Sequence, residues 1–136
     1  MERFGLAFDH FGLATRSPDR AVTFLEGLGY RPGEAIYDPL QKVNLVLCPN
    51  ACMPSVEVIY PADERGPLDA ILRGNSESFY HLCFRSHDLA ASLAAMKHAG
   101  HRVVQAAAPL PAVLFDNKRV SFYLVRGFGL IEIIEE

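Results

Sequence analysis

Phe79-Tyr80-His81-Leu82-Cys83-Phe84 is an apolar run with one imidazole inside it and no glycine or proline. Aromatic and apolar residues in such a run predict a strand. A second run, Phe8-Asp9-His10-Phe11-Gly12-Leu13, carries its histidine at the equivalent place. A shift of 71 residues lays His10 on His81, and the same shift lays Leu13 on Phe84, Val22 on Leu93, Leu25 on Met96, Gly29 on Gly100 and Arg31 on Arg102. A repeat of about half the chain length implies two copies of one supersecondary unit.

Working outward from the first copy, Ser17-Pro18 opens a helix, with serine as N-cap and proline in the first turn. Ala21, Val22, Leu25 and Leu28 form its apolar stripe, and Gly29 is its stop. A weaker strand over residues 30–37 is interrupted by Pro32-Gly33, and Asp38-Pro39-Leu40-Gln41 is a loop. Strands follow at 43–47 and 55–60. Residues 62–78 form a connector, broken at Gly66-Pro67, with one or two helical turns over 68–72. The unit then repeats: a strand at 79–85, a helix capped by Asp88 with Leu89, Leu93 and Met96 on one face, and Gly100 as its stop. A short strand at 102–104 leads to a loop through Pro109-Leu110-Pro111. Residues 113–115 start a hairpin that turns at Asp116-Asn117, and strands at 120–125 and 130–134 complete the copy.

The pattern predicts an α+β fold of two tandem βαβββ modules, residues 5–61 and 79–136, in a single domain of residues 1–136. Four strands and one helix of about 55 residues make a marginal domain on their own. The mixed sheets are therefore expected to curve and close on each other as an open barrel around a cleft, within one chain or across a dimer.

Bulk properties narrow the function classes. Of the 136 residues, 50% are hydrophobic, enough for a real core, and the net charge of -3 leaves no basic footprint for nucleic acid. No apolar run is long enough to span a membrane, and Met1-Glu2-Arg3-Phe4 does not open like a signal peptide. The cysteines, Cys48, Cys52 and Cys83, are odd in number, which favours a reducing, cytoplasmic setting. Cys48 and Cys52 alone are a poor zinc signal at their spacing.

Each half carries one histidine near its start and one glutamate in its last strand: His10 with Glu57, and His81 with Glu132. The intervals are 47 and 51 residues, so the second copy has extra residues, most simply around Pro109–Pro111. A single strand histidine is more often a satisfied structural residue than a ligand, and a single strand glutamate more often faces solvent. Recurrence at matched places argues otherwise, as does the interruption of Val56-Glu57-Val58-Ile59 and Ile131-Glu132-Ile133-Ile134 by a charge. Two imidazoles and two carboxylates suit one divalent cation: zinc, nickel, cobalt, iron or manganese. Glu135 and Glu136 read as a solvated C-terminus, and His87, His98 and His101 as surface residues.

On these residues the chain resembles the vicinal oxygen chelate superfamily, which includes glyoxalase I, methylmalonyl-CoA epimerase, extradiol dioxygenases and the bleomycin- and fosfomycin-resistance proteins. The resemblance spans nearly the whole chain and is carried by residues 9–14, 55–59, 80–84 and 129–135. It implies paired βαβββ units in an open barrel, metal ligands at His10, Glu57, His81 and Glu132, and often a homodimer. The residues Pro67–Leu72 and Tyr80–Cys83 look like the epimerase branch, whereas Glu57 looks like bacterial-type glyoxalase I, because epimerases usually carry glutamine there. The chemistry implied is shared: a metal polarises a carbonyl, and a carboxylate removes the proton from the adjacent carbon of a small thioester or hemithioacetal. Glu57 and Glu132 are then the catalytic bases.

The resemblance also leaves other readings. A metal-free, resistance-type protein would sequester a small molecule in the cleft, though such proteins commonly lack ligands that this chain keeps. A dioxygenase with a two-histidine, one-carboxylate iron site would leave Glu57 surplus. One departure bears on substrate. The epimerases carry an additional catalytic glutamate at a position that falls at or near Leu40, and here Asp38 is the nearest acid. Efficient methylmalonyl-CoA epimerisation is therefore not expected unless Asp38 reaches the substrate.

Overall fold

The computed structural model of the chain describes residues 2–63 and 65–136. Its elements are β1 (Ala7–Thr15), α1 (Pro18–Gly27), β2 (Ile36–Asp38), β3 (Val43–Cys48), β4 (Ser55–Pro61), α2 (Leu68–Ile71), β5 (Glu77–Ser86), α3 (Leu89–His98), β6 (Val103–Ala112), β7 (Lys118–Val125) and β8 (Gly129–Glu135). This is the α+β order the repeat predicts, βαβββ twice, with α2 in the connector. Among the described residues no helix is long and apolar enough to cross a membrane. Two compact units divide the chain: His10–Tyr80, and Met1–Asp9 together with His81–Glu136.

In the His10–Tyr80 unit the strands run in the order β2-β3-β4-β1. β1 pairs parallel with β4, while β3 is antiparallel to both β2 and β4. The parallel pair needs a crossover, which α1 begins. The core gathers Leu13, Leu25, Tyr30, Val46, Cys48, Val56 and Val58, with Ala21 and Val22 packed against it. The Tyr30 hydroxyl donates to the Pro54 carbonyl at 2.8 Å, so a mostly apolar ring enters the core with its one polar atom satisfied. Ser17 occupies the N-cap of α1 without a side-chain capping bond, and Pro18 supplies the first-turn preorganisation. Leu28, expected on the apolar stripe, is instead 48% exposed, because the helix ends before it and the chain turns at Gly29.

The second unit repeats this plan in the order β5-β8-β7-β6. β5 and β8 pair parallel, and β7 is antiparallel to β8 and β6. Strand alternation sorts its apolar residues into two clusters. One contains Cys83, Ala112, Val120 and Ile134; the other contains Met96, Tyr123, Ile131 and Ile133, with Leu89 and Leu93 of α3 packed against it. Asp88 caps α3, accepting from the Ala91 amide at 2.9 Å.

Several expectations need correction. The strand over 30–37 is only Ile36–Asp38, because Pro32 and Gly33 keep the chain before it irregular. Pro109-Leu110-Pro111 is not a loop but lies inside β6, which stands last in the strand order. An edge strand tolerates residues that cannot donate, and prolines there discourage pairing with another chain. Register shifts between Gln105 and Ala107 and between Ala107 and Leu110 absorb extra residues of the second copy. Residues 113–115 form a 3-10 turn, not a strand start, and the chain reverses through Asp116 and Asn117, both in the left-handed region. The terminal acids are not merely solvated: Glu135 pairs with Arg119 at 3.5 Å, and Glu136 with Arg85 at 3.5 Å and His87 at 3.3 Å.

Candidate metal centre

Strand register brings each histidine beside its glutamate. In the parallel β1/β4 pair, Gly12 lies opposite Glu57. His10, two residues before Gly12, therefore shares a face with Glu57. In β5/β8, Cys83 lies opposite Glu132, and His81 stands two residues before Cys83. Gly12 and Cys83 are related by the same 71-residue shift as the histidines. Both halves thus build one local geometry from equivalent positions.

The resulting pairs are buried and close. His10 Nε2 lies 3.6 Å from a Glu57 carboxylate oxygen, and His81 Nε2 lies 3.4 Å from Glu132 Oε1. His10 is 0% exposed, Glu57 3%, His81 2% and Glu132 2%. The two glutamates therefore do not face solvent, and the histidines are not surface residues. The separations exceed the ~2.7–2.9 Å of a good charge-assisted hydrogen bond. Two ligands at about 2.1 Å on a tetrahedral ion stand roughly 3.4 Å apart, which matches both pairs. His10, Glu57, His81 and Glu132 are buried donors of the kind that could hold a metal ion. An imidazole and carboxylate set fits the borderline and harder divalent metals better than a soft ion.

One neighbour of these residues was not singled out in the sequence. Phe122 stands edge-on to His81, with ring centroids 5.4 Å apart and planes at 85°. It lies opposite Glu132 in the β7/β8 ladder, so alternation along residues 120–125 places it on the glutamate's face once Glu132 is assigned. The surface assignments of His87, His98 and His101 agree with the structure.

The loop acid has a different role from the one considered for it. Asp38 is 1% exposed. One of its oxygens accepts from the amides of Leu40 at 3.0 Å and Gln41 at 3.1 Å, and the other from Gln41 Nε2 at 3.2 Å. Its carboxylate thus organises its own turn, while Leu40 is exposed. The cysteines are all free thiols, with Cys48 and Cys83 buried and Cys52 exposed. Burial, with the negative Glu26 adding to it, pushes the Cys48 thiol from 9.0 up to about 11, so it stays protonated and unreactive.

The family model described as Glyoxalase/Bleomycin resistance protein/Dioxygenase superfamily matches residues 9–122. No curated protein sequence matches the chain. Similar solved structures include methylmalonyl-CoA epimerase from Mycobacterium tuberculosis, at 23% identity over 98% of this chain and 88% of that one, with a TM-score of 0.74. A hypothetical protein from Bacillus halodurans C-125 is similar at 19% identity over 96% of this chain and 94% of that one, with a TM-score of 0.78. A variant of Streptomyces coelicolor methylmalonyl-CoA epimerase in complex with 2-nitronate-propionyl-CoA is similar at 20% identity over 96% and 94%, with a TM-score of 0.74. At these identities the likeness is one of fold.

Proposed function

Because the chain belongs to the glyoxalase/bleomycin resistance protein/dioxygenase superfamily, we propose that it is a metal-dependent enzyme of the glyoxalase I and methylmalonyl-CoA epimerase type. It moves a proton on the carbon next to a carbonyl in a small thioester or hemithioacetal. The observation that carries this reading is the pair of buried His–Glu couples, at 3.6 Å and 3.4 Å, built at equivalent places in the two halves. The ligands of one divalent ion (zinc, nickel, cobalt, manganese or iron) are His10, Glu57, His81 and Glu132. Each couple alone offers two donors, fewer than the three or four a divalent site needs, so the halves act together. This reading takes the chain as one domain, 1–136, of modules 5–61 and 79–136 joined by 62–78.

A divalent ion bound there supplies Lewis acidity toward a substrate carbonyl. The chain's own residues do the rest. Glu57 and Glu132 are the groups that take up a proton from the neighbouring carbon and return it. Phe122 fixes the plane of the His81 ring.

Thioesters are favoured because similar structures include an epimerase holding a CoA ester analogue. Methylmalonyl-CoA itself is disfavoured. Epimerisation needs acid and base groups on both faces of a planar intermediate, and the loop that would supply the second carries Leu40 and a turn-forming Asp38. The setting is the cytoplasm, and the working form is a homodimer.

The test is an assay in D2O with metal restored, following deuterium uptake into methylmalonyl-CoA and thioester formation from methylglyoxal-glutathione. Metal-dependent turnover on the second substrate, or slow exchange without fast epimerisation on the first, is expected. Rapid epimerisation would overturn the Leu40 argument. Tight small-molecule binding indifferent to EDTA, with no turnover, would replace the enzyme with a binding protein.

A further inference from the structure

A cavity of about 560 Å³ opens in the unit formed by Met1–Asp9 and His81–Glu136. Small-molecule sites span about 300–1,000 Å³. Phe4, Leu6, Met96, Phe128 and Ile131 supply its apolar lining. Met96 and Ile131 are each 3% exposed, so the cavity reaches into the core. Phe128, 62% exposed, lies between Gly127 and Gly129, which adopt φ of 83° and 126°. That reversal of the backbone puts a large aromatic ring at a wet surface.

This cavity is not the His–Glu site. Along β5 the lining residue Phe84 points to the face opposite His81 and Cys83, and along β8 Ile131 points opposite Glu132. Neither His81 nor Glu132 lines it.

Its charged groups are unequal in number and in availability. Arg3, Arg126 and His101 line it, against one carboxylate, Glu2. Glu2 is already engaged: its Oε1 accepts from the amide of Phe4 at 2.6 Å and of Leu6 at 3.1 Å. The hydrogen bond from Leu6, with that from Phe4, holds the carboxyl below its usual range, so it stays an acceptor tied to its own segment. Among the described residues no ion pair engages Arg3 or Arg126. A guanidinium keeps its charge at any ordinary pH and presents a planar fork of donors to a carboxylate.

We propose that this cavity binds an amphipathic carboxylate, its apolar body against Met96 and Ile131 and its head at Arg3 and Arg126. An apolar interior under a cationic mouth rejects neutral polar metabolites, which would leave unpaired groups inside, and rejects cations by charge. The site is independent of the metal reading, because it uses neither its residues nor its face of the sheet.

Decanoate is a suitable probe, with 1-decanol as the neutral control of the same apolar length. Titrated into the full chain and followed by amide NMR, decanoate should saturate one site, with the largest shifts at residues 4–6 and 125–131. Decanol should bind roughly fivefold more weakly or worse, the upper end of what one exposed ion pair is worth. The double variant Arg3→Gln, Arg126→Gln should lose about the same factor for decanoate, keep its decanol affinity and keep its metal content. Equal affinity for decanol and decanoate would overturn the proposal, as would shifts centred on residues 81 and 132. So would sedimentation showing a dimer that Phe128→Asp dissociates, since a second copy would then be the occupant of this face.

Discussion

Replacing Asp38 separates a residue that builds the loop from one that performs chemistry. Asp38→Ala removes a buried carboxylate that accepts from Leu40 N, Gln41 N and Gln41 Nε2 at 3.0, 3.1 and 3.2 Å. The turn it closes also carries Lys42 at φ 56°, with Lys42 N bonded to the Asp38 carbonyl at 2.8 Å. Loss of an Asx-type cap costs about 0.5–2 kcal/mol, and hydrogen bonds to a charged acceptor are worth about 1.5–3 kcal/mol. Leu40 is exposed and its amide can turn to water, so the lower part of that range applies, about 2 kcal/mol. For a chain of this size that is a fall in Tm of roughly 6–10 °C. Asp38→Asn keeps one acceptor oxygen, and the Gln41 amide can rotate to face the new NH2 group, so its cost stays below about 1 kcal/mol. Thermal unfolding of both variants, run beside the deuterium-exchange assay, reads the two roles separately. The account predicts a large Tm loss for alanine and near wild-type Tm and turnover for asparagine. A normal Tm for alanine would refute the structural role, and an asparagine variant that is stable but inactive would make Asp38 the missing base.

Other expectations follow from single contacts. A Cβ on Gly66 would stand 2.9 Å from the Lys42 carbonyl oxygen, so Gly66→Ala should cost about 1–3 kcal/mol in urea unfolding; a neutral result would mean that the two loops part freely. Cys48 ionises at 9.0 in the unfolded chain and at about 11 in the folded one, so its contribution is complete below pH 9 and is lost as pH rises toward 11. Cys48→Ala should flatten the decline of the urea midpoint across that window, and an unaltered slope would contradict the burial argument. Phe122→Leu removes the edge-on ring at His81, an interaction worth about 0.5–1.5 kcal/mol, and should weaken cobalt binding by up to about tenfold. Unchanged affinity in a cobalt titration would show that the ring packs without positioning.

The residues themselves explain how much was readable. A repeat is legible because equivalent places in a fold make equivalent demands: the same shift that aligns His10 with His81 aligns Leu25 with Met96, both core residues. Glu57 and Glu132 stood out because a charge inside an apolar strand must be paired or exposed, and both proved buried. Pro109 and Pro111 misled, since a local breaker signal does not reveal that the strand lies at an edge, where its missing donors cost little. Phe122 was hidden in an ordinary strand pattern, and its place beside His81 comes from the β7/β8 register, which no local stretch encodes. Asp38 looked like a possible base because a sequence shows the carboxylate but not the three donors that already occupy it.

The most direct test of the central claim is the metal content of protein purified without chelators, with cobalt titration of the wild type and of His10→Ala, Glu57→Ala, His81→Ala and Glu132→Ala. Far-ultraviolet circular dichroism of each variant establishes that it is folded. The account predicts about one divalent ion per chain, and a loss of affinity in every one of the four variants, since ligands from both halves share one ion. A wild type that binds no divalent metal, or folded variants that bind it as well as the wild type, would contradict it.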